Sequence, residues 1–199
     1  MTAAPGRVLT VCTGNICRSP FLERALQAEL DRSWGPGAVE VASAGTGALV
    51  GHPMEDQARA LLEANGYAAD GFRARDLGVA LVADADLVLT ATRAHRGKVL
   101  ALHPRAVRYT FTFRELAHLV ASLTDTELTD TDLAGTASAA DHLARVASLA
   151  AGERGVGAPL SDADADIVDP YRRPPEVFEQ MTTQIMAALP AVVRALGKP

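Results

Sequence analysis

Cysteine is scarce in this chain: only Cys12 and Cys17 occur in 199 residues. One bridge closing so small a loop would add little to a secreted domain of this size, so a disulfide framework is excluded. Zinc is disfavoured too. His52, His95, His103, His118 and His142 form no pair at the spacing that would complete a four-ligand site with two cysteines. Lysine is nearly absent, with Lys98 and Lys198 the two examples, and the arginine and alanine excess reflects codon usage, not chemistry. Positive charge is in deficit: 19 Lys plus Arg face 24 Asp plus Glu, leaving −5. That balance argues against a general nucleic-acid or anionic-membrane binder. Long hydrophobic runs are also missing. Val8 to Val11 is far shorter than a signal core or a membrane span of ~20 residues, so no membrane insertion and a cytoplasmic protein are expected.

What is present is an alternation of short β-branched runs with amphipathic stretches, the pattern of an α/β fold with a mostly parallel sheet. Strands are expected at Arg7–Cys12, Val39–Ser43, Asp86–Ala91 and Ala106–Thr112. Helices are expected at Ser19–Trp34, with Ser19 as N-cap and Pro20 at the first position, and at Pro53–Asn65, closed by Gly66. Further helices are expected at Arg93–Leu102, Phe113–Leu123 and Pro175–Leu196, the last kinked by Pro190. A single domain over 1–199 follows from the length. Within it, 124–166 differs in character: nine acidic residues face Arg145 and Arg154 alone. It reads as an acidic, partly helical insertion, with a helix at Ser138–Leu149 inside a solvated excursion.

The densest chemical signal is Cys12-Thr13-Gly14-Asn15-Ile16-Cys17-Arg18-Ser19-Pro20, between the first strand and the first helix. There, backbone N–H groups converge on an anion. Five residues between Cys12 and Arg18 let the chain wrap a tetrahedral oxyanion. Gly14 and Asn15 tolerate the left-handed backbone this requires, and Arg18 adds a planar fork. The same field favours the thiolate form of Cys12, which becomes a nucleophile beneath a bound phosphate. A free cysteine at a strand end is commonly just a small buried hydrophobe. The complete block in a strand-to-helix position argues against that bland alternative.

This block resembles the signature of the low molecular weight protein tyrosine phosphatases. The resemblance extends to Ser43-Ala44-Gly45-Thr46, Gly51-His52-Pro53 and Asp169-Pro170-Tyr171. It implies a four-stranded parallel sheet flanked by helices on both faces, and hydrolysis of phosphate monoesters, above all protein phosphotyrosine, with no cofactor and no metal. On that reading Cys12 attacks phosphorus, Arg18 clamps the phosphate with loop residues Thr13 to Cys17, and Asp169 is the general acid and base. Expelling an alkoxide or phenoxide is slow unless a proton reaches the leaving oxygen, so the chemistry demands such an acid. Ser19 donates to the Cys12 sulfur, Asn15 and Ser43 hold the loop in shape, Pro170 stiffens the acid loop, and Tyr171 stands beside it. His52 reads as a rim or capping residue.

The resemblance has departures. Phe72 stands where many members carry a histidine that joins the Asn–Ser network. Gly47, Ala48 and Leu49 offer only a small apolar wall where others place an aromatic residue. Arg172 and Arg173 follow Tyr171 where others carry a second tyrosine. Ile16 resembles the phosphotyrosine-directed members, whereas members similar to arginine phosphatases carry threonine. The expected partners are a phosphorylated protein or small phosphomonoester and a cognate tyrosine kinase. Two alternatives stay open. One is an arsenate reductase on the same fold, which would need relay cysteines that do not appear after Cys17; the other is a phosphate-binding redox sensor pairing Cys12 with Cys17.

Overall fold

A computed structural model describes residues 4–129, 138–156 and 160–199. Part of the expected acidic insertion, at 130–137 and 157–159, lies outside the described residues. Four parallel strands form one sheet in the order β2-β1-β3-β4: β1 Gly6–Cys12, β2 Val39–Gly45, β3 Leu87–Thr90 and β4 Thr110–Thr112. The helices are α1 Arg18–Trp34, α2 Asp56–Ala64, α3 Val79–Ala83, α4 Arg93–Leu102, α5 Phe113–Ala121, α6 Asp125–Leu128, α7 Ala139–Glu153, α8 Asp162–Ala165 and α9 Pro175–Leu196.

The strands read as near-continuous apolar runs because both sheet faces are covered. Successive β1 side chains point to opposite faces. Val8 joins Leu87, Leu89 and Phe111 in the larger core under α1, α5, α7 and α9, while Leu9 and Val11 join Val88, Val82 and Val99 under α3 and α4. Right-handed crossovers then bring every strand's C-terminal end to one edge, where a doubly covered parallel sheet carries its site.

Several elements depart from the sequence expectation. α1 begins at Arg18 with Cys17 as its N-cap and no side-chain cap. Ser19 is therefore inside the helix, because its hydroxyl is engaged by the loop. α2 begins later than expected, at Asp56, since the Glu55 carboxylate accepts from the N–H groups of Gln57 and Ala58 at 2.9 and 3.2 Å. His52 is thus not a cap; it is exposed on the rim. The expected fourth strand shrinks to three residues, because Pro104 starts a 3₁₀ turn over Pro104–Arg108, where a fixed φ and a missing N–H suit a turn better than a ladder. α9, by contrast, spans Pro175–Leu196 as expected, with Pro190 inside it.

The largest correction concerns the acidic segment. α7 buries Leu143, Val146 and Ala150 completely and packs on β1, β3, α5 and α9. Its residues Ala139–Glu153 are not a solvated excursion; they close the base of the sheet. Leu143 comes so near the start of β1 that a Cβ on Gly6 would stand 2.8 Å from its Cδ1. His142 Nε2 bonds the Ala195 carbonyl at 2.8 Å, and Trp34 Nε1 donates to the Leu196 carbonyl at 2.9 Å. These two contacts lock α7 and α1 to the end of α9. α8, by contrast, lies at the upper edge: the Thr112 hydroxyl donates to Ala165 O at 2.7 Å, and Asp166 Oδ1 accepts from the Arg93 N–H at 2.8 Å.

Candidate active site

The loop from Cys12 to Arg18 turns sharply because Asn15 adopts φ +53°, a left-handed conformation that Asn tolerates when its side chain is bonded locally. Here the Asn15 amide does so three times. Nδ2 donates to Ser19 Oγ at 2.9 Å and to Ser43 Oγ at 2.8 Å, and Oδ1 accepts from the Arg75 N–H at 2.8 Å. Ser43 in turn donates to Glu23 Oε2 at 2.5 Å. Since Ser19 Oγ already accepts from Asn15, its own proton is free to point at Cys12 Sγ, 3.0 Å away. All of Asn15, Ser19 and Ser43 are fully buried, so the network is dry and its geometry fixed.

Phe72 does not join this network. It is buried in the core, with the Arg24 guanidinium 5.9 Å over its ring. Arg75 does join the network: beyond its N–H bond to Asn15, its Nε donates to Ser43 O at 2.7 Å. Burial pushes the Glu23 carboxyl above its ordinary range, opposed by the Ser43 hydrogen bond and by Arg24 and Arg75. Gly45 allows the second wall to approach. A Cβ there would overlap Thr13 O and lie 3.0 Å from Ala48, and both neighbours are backbone-anchored, so any side chain at 45 displaces the loop.

A pocket of about 140 Å³ opens above the loop, lined by Cys12, Thr13, Gly14, Ile16, Cys17, Arg18, Gly47, Leu49, Asp169 and Tyr171. Sequence reasoning named eight of these as site residues, and Gly47 and Leu49 as the small wall opposite. Arg18 is buried, with Nη2 2.8 Å from Asp169 Oδ2 and Nη1 3.4 Å from Ile167 O. Its Nε is buried without a partner, a donor suited to an anion's oxygen. The Asp169 side chain is itself half exposed. Its Oδ1 accepts from the Tyr171 N–H at 3.2 Å, Pro170 between them is buried, and Ile167 N–H donates to Ala91 O at the end of β3 at 2.8 Å. The loop carrying Asp169 is thereby fastened to the sheet on one side and to Arg18 on the other. Arg172 stands at φ +57° with its guanidinium 5.1 Å over the Tyr171 ring.

Cys12 and Cys17 are both buried free thiols. Burial, reinforced by Cys12 and Glu55, pushes the Cys17 thiol well above its ordinary value, so Cys17 remains a neutral thiol at the mouth of the helix. Among the described residues no group of three or more His, Cys, Asp or Glu could hold a metal ion, and no helix is long and apolar enough to cross a membrane.

His95 went unnoticed in the sequence, as did the parts played by Glu23 and Arg75. His95, 5% exposed, bridges Thr13 Oγ1 at 2.8 Å and Thr92 Oγ1 at 2.7 Å. Its only local sign is a threonine three positions earlier at a helix start. Burial pushes its pKa down to about 4, with Arg18 and Lys98 acting in the same direction and Asp169 against. A folded pKa below the ordinary value of 6.5 means that the neutral ring contributes stability at pH above 6.5, which is lost as pH falls toward 4. Thermal unfolding should therefore show wild type losing on the order of 2 kcal/mol more than His95→Gln over that window, after discount for screening. Parallel curves would disprove the buried neutral ring.

The family model for low molecular weight phosphotyrosine protein phosphatases matches residues 7–131, and the chain belongs to that family. The matched region holds the loop and its network; Asp169 lies beyond it. Among curated relatives, the probable low molecular weight protein-tyrosine-phosphatase EpsP of Ralstonia nicotianae is 37% identical over 109 residues, 55% of this chain and 71% of its own. The low molecular weight protein-tyrosine-phosphatase Etp of Escherichia coli is 38% identical over 106 residues, 53% of this chain and 68% of its own. Of solved structures, the Escherichia coli tyrosine phosphatase Wzb in complex with sulphate superposes with a TM-score of 0.65 at 26% identity, covering 96% of this chain and 98% of that one. The Erwinia amylovora tyrosine phosphatase AmsI superposes at 0.67 with 24% identity, covering 98% and 96%, which speaks to the fold alone.

Proposed function

We propose that this phosphatase hydrolyses protein phosphotyrosine through a cysteinyl-phosphate intermediate, with Cys12 as nucleophile, Arg18 as phosphate clamp and Asp169 as general acid and base. One observation carries the reading: a single pocket holds the Cys12 thiol at its floor, the Arg18 guanidinium on its wall and the Asp169 carboxyl at its mouth. A phosphate binder would need neither thiol nor acid.

The chemistry then follows in two displacements. The phosphoryl group settles against the loop N–H groups of Thr13 to Ser19, and Arg18 turns its fork, including the unpartnered Nε, onto the equatorial oxygens. Cys12 Sγ attacks phosphorus in line, the bond to the tyrosyl oxygen breaks, and Asp169 delivers its proton to that oxygen. In the second step Asp169 takes a proton from water, the water oxygen attacks phosphorus, and the P–S bond breaks to release inorganic phosphate. Ser19 stabilises the departing thiolate through its hydrogen bond. A tyrosine kinase is the partner such a substrate requires, because only a phosphoryl transfer to tyrosine can supply it.

Ile16 bears on substrate choice. It lines the pocket and packs 3.4 Å from where a Gly14 Cβ would stand, so it narrows the floor with an apolar side chain. Its bulk resembles that of phosphotyrosine-directed members. With reductant and chelator present, a phosphotyrosine peptide should turn over at least about tenfold faster than a phosphoarginine peptide, a difference of about 1.4 kcal/mol in transition-state binding. Loss of all activity in chelator would overturn the metal-independent mechanism, and faster phosphoarginine turnover would overturn the substrate assignment alone.

A further inference from the structure

His95 sits in the first turn of α4, yet its ring reaches back to the phosphate loop. Thr92 Oγ1 already accepts from the His95 backbone N–H at 3.2 Å, its role as N-cap. A hydroxyl carries one proton, and the acceptor at hand for the Thr92 proton is His95 Nδ1, 2.7 Å away. A neutral ring whose Nδ1 accepts holds its hydrogen on Nε2. That hydrogen meets Thr13 Oγ1 at 2.8 Å. The opposite tautomer would leave the partly buried Thr92 hydroxyl without an acceptor on the ring it touches, an arrangement such groups avoid. Thr13 therefore accepts from the ring, and its own proton is directed elsewhere. Thr13 is exposed and lines the pocket beside Cys12.

We propose that His95 is a positioning residue that holds the Thr13 hydroxyl as a hydrogen-bond donor to an acceptor oxygen of the bound phosphomonoester, making Thr13 a specificity-determining residue. The inference rests on the phosphatase reading above. Donation runs one way along the chain, from Thr92 O–H to Nδ1, from Nε2–H to Thr13, and from Thr13 O–H to substrate, and each link polarises the next. The neutral ring is the form that supports all three links, since a protonated Nδ1 cannot accept. Burial together with Arg18 and Lys98 keeps it neutral, against the pull of Asp169.

Two measurements test this. Nitrogen NMR of the His95 ring at neutral pH should show a neutral ring protonated on Nε2. Steady-state kinetics on a phosphotyrosine peptide should show Thr13→Val raising KM about five- to tenfold, the effect of one lost hydrogen bond, with kcat within about twofold. Thr13→Ser should restore KM. His95→Phe should reproduce the KM effect, His95→Gln should recover most of it because its amide keeps a donor in place, and Thr13→Val combined with His95→Phe should be no worse than either alone. A ring protonated on Nδ1, an unchanged KM in Thr13→Val, or additive losses in the double variant would each overturn the proposal while leaving the phosphatase reading intact. If His95→Phe fails to fold, the ring tautomer and the Thr13 variants decide the matter. A folded wild type inactive on every phosphomonoester would overturn both.

Discussion

Cys12→Ser should reduce kcat on a phosphotyrosine peptide by roughly 10⁴-fold or more, with the fold unchanged. The substitution swaps sulfur for oxygen at a position that is 2% exposed, and the Ser19 hydroxyl 3.0 Å away can bond either atom, so the packing survives. What is lost is the nucleophile. A serine hydroxyl at the mouth of α1 is a far weaker nucleophile than a cysteine sulfur, and no general base stands beside it: its neighbour Ser19 donates. The check is single-turnover and steady-state hydrolysis beside a thermal melt. Activity within about tenfold of wild type in the serine variant would remove Cys12 from the reaction.

Asp169→Ala should cost on the order of 10²–10⁴-fold in kcat, and the loss should grow as the leaving group becomes more basic. A nitrophenolate departs with little help, whereas a tyrosyl oxygen needs its proton. The same change frees Arg18 Nη2 from its 2.8 Å ion pair. Phosphate should consequently bind as well or better in the variant, so KM or product inhibition moves opposite to kcat. Because the Asp169 carboxyl is largely exposed, removing it should shift the melting temperature little. Equal losses on good and poor leaving groups would show that Asp169 orients Arg18 and transfers no proton.

The loop was legible in the sequence because all of its chemistry is local. Cys12 to Pro20 is one contiguous run, and the geometry that such a run must adopt between a strand and a helix is narrow. Asp169 was legible by resemblance and by chemical need. Contacts across the chain were not. Glu23 lies one helical turn beyond Ser19 but is recruited by Ser43 of another strand, and His95 meets Thr13 only once β1 and β3 pair side by side. Arg75 could not be foreseen as a partner of Asn15, since its contribution there is a backbone N–H, which every residue but proline carries.

The acidic segment was misread for a different reason. Its many aspartates suggested solvation, but Ala139, Leu143, Val146, Ala147 and Ala150 recur at helical spacing and all are buried, a stripe narrow enough to be masked by alanine. The acids do local work at the edges: Asp141 completes a capping box with Ser138, and Asp162 pairs with Arg93 at 2.5 Å.

The cover that α7 gives to the base of β1 has a kinetic consequence. β1 precedes the other three strands in the chain, yet it meets α7 only after most of the described chain has followed. Contacts between residues so distant in sequence carry a large loop-closure cost before they yield any stabilisation. Until α7 arrives, the lower ends of β1 and β3 expose apolar surface to water and to other chains. The active-site loop can thus be encoded early and locally, while the sheet that aims it becomes rigid last.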